Sequence, residues 1–301
     1  HLALVAGGPN YNDEAGIYPK QPGNEDLGWE QTWANNVGVR MGLFNRANVN
    51  IDFYHKKTSN MLMLVPQSYA VTGDGYSWEN IGAMVNRGVE ISIDGDIVRT
   101  KDFTWNVNAN VSYNKNKLVE LYNGVQEYVN STTGLKFVVG RPVHEFFMNR
   151  YAGVNPANGD ALWYTKDGEL TTEFREEDKV MTGKTFDSPW AGGFGPTFAW
   201  KGLSLSAQFS WMADRYVMNN DRFFEESNGL YSAYNQSKRL LYDRWKKPGD
   251  LTDIPRYGVV AQLDDRFLEN ASFLRLKNLT LAYVLPQPIL KKTNFFTSAR
   301  I

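Results

Sequence analysis

Two adjacent acid pairs, Glu176-Glu177 and Glu225-Glu226, are the first residues whose type could do chemistry, because paired carboxylates hydrolyse glycosidic bonds. That reaction needs the two groups about 5–10 Å apart across a cleft. Chain neighbours rarely converge on one bond, so both pairs are expected to be solvated acids. The three histidines, His1, His55 and His144, lack metal-ligand spacing. His55 continues the apolar phase of its segment, where an interfacial role is expected. NPANGD, at 155–160, offers oxygen donors but does not match a calcium loop and reads as a tight hairpin turn. The glycines of GGFGP precede a strand rather than a helix, which argues against a phosphate-binding loop. Cysteine is absent, so thiol catalysis and a disulfide framework are excluded. The expectation is therefore no catalytic residue, no metal and no cofactor. What remains is aromatic surface: 9 Trp, 16 Tyr and 17 Phe, 14% of the chain. Flat rings can stack on sugars, and the loop aromatics Tyr76, Trp78, Phe223, Phe224, Tyr231 and Tyr234 are the candidates for binding. For any one of them, packing of loop on loop is the commoner use.

The elements that must position these rings are strands. KDFTWNVNANVSYNKNK, from Lys101 to Lys117, alternates with a period of two: Phe103, Trp105, Val107, Ala109, Val111 and Tyr113 share one face, and Asn106, Asn108 and Asn110 lie on the other. Val37 to Leu43 and Val49 to Phe53 alternate likewise. So do Val89 to Ile97, with Glu90 and Asp94 opposite, and Leu203 to Trp211, with Leu205 and Phe209 on the apolar side. These segments pair into hairpins. Turns within pairs take two or three residues. Connections between pairs are long, at about 57–84, 115–143, 165–188 and 212–267. Short turns at one end and long loops at the other are the layout of an outer-membrane barrel. In such a barrel the Trp105 face meets lipid and the asparagine face lines a wet lumen. In a soluble sandwich the apolar face would be buried instead. Pro196 cannot donate to a ladder, so its strand is expected to start after it or to bulge there. Tyr231 to Lys247 has helical character, with Leu240, Leu241 and Trp245 on roughly one face and Pro248-Gly249 as the stop.

Bulk properties fit an all-β chain of one large or two smaller domains. The 301 residues carry 32 basic and 33 acidic side chains, net −1, so there is no basic field for nucleic acid. Mean hydropathy is −0.45, and no apolar run approaches the ~18 residues of a membrane helix, which says nothing against a barrel.

Four stretches resemble the SusC/RagA-type TonB-dependent outer-membrane transporters: GNEDLGWEQTWANNVGVRMGLF, NIGAMVNRGVEISI, PWAGGFGPTFAWKGLSLS and DRFLENASFLRLKNLTLAYVLP. Singly each is a weak β motif, and in this order they are specific. Pro196 and Ala282 depart from the family pattern. The resemblance implies part of an antiparallel transmembrane β-barrel of about 22 strands, plugged, with long extracellular loops that include a short helix. It also implies import of glycan fragments, or sometimes peptides, a SusD-like lipoprotein lid over the loops, and energy from the TonB complex. Residues 1–301 are expected to be a partial barrel domain of eight to ten strands, with signal peptide, TonB box and plug outside this chain. On this reading the lumen side carries Glu90, Asp94, Asn106, Asn108 and Asn110. The lipid side carries Trp105, Val107, Val111, Leu205 and Phe209. A porin, a metal-chelate receptor and a soluble carbohydrate-binding sandwich are the competing readings.

Overall fold

The computed structural model describes residues 4–11, 14–21, 23–66, 75–130, 134–292 and 295–301. Seven strands make its principal sheet: β1 (Gln31–Leu43), β2 (Ala47–Ser59), β3 (Ala83–Arg99), β4 (Phe103–Glu120), β5 (Trp190–Trp200), β6 (Leu203–Ala213) and β7 (Phe273–Tyr283). Each pairs antiparallel with the next in chain order, so the sheet is an up-and-down meander with β1 and β7 at its edges. This is the wall topology of an up-and-down barrel.

The short turns all lie at one end. Phe44 and Asn45, both at positive φ, turn β1 into β2, and Arg46 N–H donates to Leu43 O at 3.0 Å. Thr100 closes the β3–β4 turn by bonding Phe103 through both its backbone and its hydroxyl. Lys201 (φ 46°) and Gly202 (φ 91°) form the two-residue turn between β5 and β6, where two successive positive φ values suit a hairpin's twist. Gly202 O also accepts from Val284 N–H at 2.9 Å, which ties the end of β7 to the same rim. The opposite rim carries connections 60–82, 121–189 and 214–272.

Register keeps each face of the sheet uniform across strands. One apolar row is Val39, Ile51, Ile91, Val111, Gly192, Trp211 and Leu274. The next is Met41, Val49, Ile93, Ala109, Phe194, Phe209 and Leu276. The other face has Arg40, Asn50, Ser92, Asn110, Gly193, Ser210 and Arg275 in one row, and Asn48, Asp94 and Asn108 in another. Trp105 and Phe198 stack at 5.6 Å between centroids near the turn end, and Tyr113 meets Trp190 at 4.5 Å toward the loop end. Both pairs lie on the apolar face, because Trp105 is opposite Phe198 and Tyr113 opposite Trp190.

Two expectations need correction. The second connection does not begin near residue 115: β4 runs to Glu120, and β3 reaches 17 residues, so this hairpin extends well past the apolar belt. Pro196 neither begins nor bulges its strand. It sits opposite Val107 in unbroken register with β4, while pairing with β6 lapses across Gly195 and Pro196 and resumes at Thr197 in the same register. The missing N–H thus faces β6 and costs one rung.

The loops carry strands of their own. Residues 143–165, between two of the expected connections, are not wall. Arg150–Val154 and Ala161–Tyr164 form a loop hairpin whose 155–160 turn is closed by Asn155 N–H donating to Asp160 O at 2.8 Å, as NPANGD leads one to expect. The wall therefore has seven strands among the described residues rather than eight to ten. Two apolar clusters hold the loops: Leu118, Leu121 and Tyr128 with Met63, Phe137 and Val143 around them, and Phe223, Ala261 and Phe267 with Met218 and Tyr231. Among the described residues α-helix is confined to short pieces, α1 (Asn220–Glu225) and α2 (Arg239–Tyr242) in the last loop and Gln287–Leu290 after β7. The helix expected over 231–247 is only α2. Leu240 is buried but Leu241 is 62% exposed, so no apolar stripe is buried that could offset helix nucleation. Gln236 Nε2 instead donates to Tyr231 O and Tyr234 O, which fixes a turn.

Candidate binding face and vestibule

The polar face is built by hydrogen bonds between neighbouring strands. Asn106 donates to Asp96 Oδ1 at 3.2 Å, Asn108 to Gly195 O at 3.1 Å, and Asn50 to Ser92 Oγ at 3.1 Å. Nearer the loops, Tyr54 donates to Asn114 Oδ1, and Asn114 and Asn116 both donate to Asn86 Oδ1. Glu90 and Asp94 are exposed on this face and form no ion pair among the described residues. Such a surface can hydrogen-bond a passing polar solute. It presents no nucleophile paired with a base.

Loops fold over the polar face at its upper rim. Val143 N–H donates to Asn116 Oδ1 at 2.9 Å, and Leu118, on the same face two residues on, is buried under the first loop cluster. Tyr128 of that cluster donates to Leu64 O in the first loop. Burial, with the neighbouring phenols Tyr76 and Tyr122, pushes the Tyr128 hydroxyl above its ordinary range.

The structure brings four of the six candidate aromatics together. Phe224, Tyr231 and Tyr234 lie 4.7, 5.7 and 6.1 Å apart pairwise. Phe223 is beneath them, 8% exposed and edge-on to Phe267 at 5.4 Å, so it supports the group rather than presenting a face. Tyr234 is the outermost, 60% exposed. Tyr76 and Trp78 lie apart from this group, on Tyr76–Asn80, which pairs with Leu62–Pro66. Alternation puts both on one side of that ribbon.

An ionic and hydrogen-bonded frame carries the aromatic group. Asp264, fully buried, accepts from Trp163 Nε1–H at 2.8 Å and from Arg266 N–H at 3.1 Å. The Arg266 guanidinium lies over Tyr151 at 4.2 Å and Phe267 at 4.6 Å. Burial raises the Asp264 carboxyl above its usual range despite Arg266, and burial raises the Tyr151 phenol strongly. On the far side, Arg239 donates to Asp253 at 2.7 Å and to Glu226 at 2.7 Å, and Arg222 also donates to Glu226, at 3.1 Å. Glu226 is therefore a buried ion-pair partner and not the solvated acid its sequence setting suggests. Burial opposes ionisation of Asp253, but the Arg239 hydrogen bond and charge outweigh it and hold the carboxyl below its ordinary value.

Comparison with known proteins decides what this wall belongs to. The family described as TonB dependent receptor-like, beta-barrel matches residues 6–283. The chain belongs to this family. Among curated relatives it is 27% identical to the TonB-dependent receptor P39 of Formosa agariphila, over 98% of this chain and 33% of that protein. It is 28% identical to the TonB-dependent receptor SusC of Bacteroides thetaiotaomicron, over 86% of this chain and 26% of that one. A solved RagAB peptide transporter superposes over the whole chain with a TM-score of 0.87 and 36% identity, covering 34% of its own chain. The chain thus spans about a third of the length of these relatives. It is an outer-membrane β-barrel segment of the SusC/RagA type.

The geometry gives reasons for this TonB-dependent receptor's motif residues. Asn80, of the NIG stretch, accepts from Gly28 N–H at 2.6 Å and donates to Gly28 O and Asn60 O, each at 2.9 Å. Glu30, of the GWE stretch, accepts from Leu62 N–H. Two motifs fifty residues apart in sequence are thereby one joint at the base of the first loop. Gly88 lies where a Cβ would meet Tyr54 Oη at 2.5 Å, so the Tyr54 ring needs that glycine. Sequence reading missed the Asp264–Trp163 and Arg239–Asp253–Glu226 partnerships.

Proposed function

We propose that the full-length protein is a TonB-energised outer-membrane importer and that this segment supplies part of its lumen wall and vestibule. The apolar face meets lipid through Trp105, Val107, Val111, Leu205 and Phe209. The polar face, with Glu90, Asp94, Asn106, Asn108 and Asn110, lines the lumen. The observation that carries this reading is the register-continuous apolar face with aromatic pairs near both rims. Phe103 to Tyr113 spans ten steps of β4; at about 3.3 Å each and a tilt of roughly 40°, the rims stand about 25 Å apart, the height of a barrel's hydrocarbon band.

The cargo is an oligomeric nutrient. Peptide is favoured over glycan, because identity to the RagAB peptide transporter is 36% over the whole chain against 28% to SusC over 86%. A SusD-like lipoprotein would cover the loop rim. Phe224, Tyr231 and Tyr234 would contact cargo there, with Tyr76 and Trp78 on a neighbouring loop. The test is recovery of cargo from the purified full-length transporter: acid extraction and mass spectrometry should release peptides, and Phe224→Ala/Tyr234→Ala should reduce the yield severalfold. Release of oligosaccharides instead would return the glycan reading.

A further inference from the structure

Directly above the last apolar row of the wall, the same face turns cationic. The row Val37, Phe53, Val89 and Tyr113 is followed, one side-chain repeat outward, by Asn35, His55, Arg87 and Lys115, opposite one another on four neighbouring strands. The next row holds Trp33, Lys57, Val85 and Lys117. His55, Lys57, Arg87 and Lys115 are exposed. None of these basic groups forms an ion pair with a carboxylate among the described residues. Asp187, which lines a cavity with Lys115, is bonded to His144 at 2.7 Å. Asp214 lines the same cavity without pairing with Lys115.

Like charges directly opposite on neighbouring strands destabilise a sheet. Arg87 opposite Lys115 is such an arrangement, and no carboxylate among the described residues forms an ion pair with either. The other face at this height carries a single cation, Lys56, whose ammonium lies over the Tyr54 ring at 5.0 Å, among the neutral Tyr54, Asn86, Asn114 and Asn116, so most of the charge is on the outward side. Its height, one repeat above the hydrocarbon band, is that of lipid headgroups. Guanidinium and ammonium groups there bind phosphate by charge-assisted hydrogen bonds.

We propose that Arg87 and Lys115, flanked by Lys57 and Lys117, bind the phosphate of an anionic lipid headgroup in the outer leaflet. The occupant is a phosphorylated membrane lipid whose acyl chains lie on the apolar rows below, and a free anion would lack that second contact. This inference rests on the lipid-facing assignment of the apolar face.

The test uses the full-length transporter in neutral detergent, titrated by native mass spectrometry with bisphosphorylated lipid A and with its dephosphorylated form. Wild type should prefer the phosphorylated lipid by roughly thirtyfold, the factor two surface cations supply against an anionic headgroup. Arg87→Gln/Lys115→Gln should bring the preference within about threefold of unity, and Arg87→Lys/Lys115→Arg should keep it. Equal preference in wild type and the glutamine variant would overturn the proposal, as would competition by millimolar inorganic phosphate. Unchanged heat-modifiable gel migration of each variant guards against misfolding. Spin-label exposure to lipid at residue 107 separates the two failures. If that site is in lipid and the preference is still absent, only the headgroup inference falls. If it is not in lipid, the orientation of the wall falls with it.

Discussion

Removing the Asp264 carboxylate should release the loop frame from itself while leaving the wall intact. Asp264 accepts from the Trp163 indole across 101 residues of sequence and is the nearest anion to Arg266, whose side chain is 7% exposed. Asp264→Ala leaves a buried indole N–H without an acceptor and a buried guanidinium without an anion. Breaking one side of a buried pair costs about 3–5 kcal/mol. Asp264→Asn keeps an acceptor for Trp163 and should cost about 1–3 kcal/mol. Hydrogen exchange on the full-length protein gives the readout by segment. Amides of Arg150–Val154 and Ala161–Tyr164 should open on the order of a hundredfold or more faster in the alanine variant, while β4 is unchanged. Burial raises the folded-state value of this carboxyl above its ordinary 3.8. Its contribution is therefore greatest below 3.8 and declines as pH rises through the raised value, a slope Asp264→Asn should abolish. Unchanged exchange in the alanine variant, or equal effects of alanine and asparagine, would refute the reasoning.

Three further outcomes follow from the same geometry. Asp253 has the opposite sign: its carboxyl is held below 3.8, so its contribution is present above that pH and is lost as pH falls through the lowered value. Exchange in 237–256 should accelerate at acid pH in wild type, and Asp253→Asn should remove that acceleration. Gly88→Ala places a Cβ 2.0 Å from Tyr113 O and 2.5 Å from the Tyr54 hydroxyl; an overpacking cost of about 1–3 kcal/mol should lower the temperature at which the barrel loses its compact gel migration. If the proposed peptide cargo is correct, Phe224→Ala and Tyr234→Ala should each weaken its binding severalfold by calorimetry, whereas Phe223→Ala should loosen α1 by hydrogen exchange.

The wall was legible because a period of two is local information. Once Val107 and Asn108 are assigned to opposite faces, every neighbour follows by register. The loops were not legible, because their order comes from contacts far apart in sequence. Tyr151 N–H finds Asp265 across 114 residues, and no local pattern marks either as a partner. Glu226 looks like one of two adjacent surface acids until Arg222 and Arg239 fold onto it. The segment 231–247 has helical spacing, but of its apolar stripe Leu240 is buried while Leu241 is left exposed, and Gln236 holds the preceding residues in a turn. The candidate loop aromatics divide the same way. Composition singles out all six, and only packing shows that Phe223 is beneath the group and Tyr234 at its edge.

The orientation of β4 is the most direct test of the whole account. Single spin labels at Val107→Cys and Asn108→Cys, in the full-length protein in lipid nanodiscs, should relax differently. The label at 107 should respond to oxygen dissolved in the bilayer, and the label at 108 to a water-soluble nickel chelate. The reverse pattern, or identical behaviour at the two positions, would contradict a wall whose apolar face meets lipid and whose asparagine face lines a wet lumen.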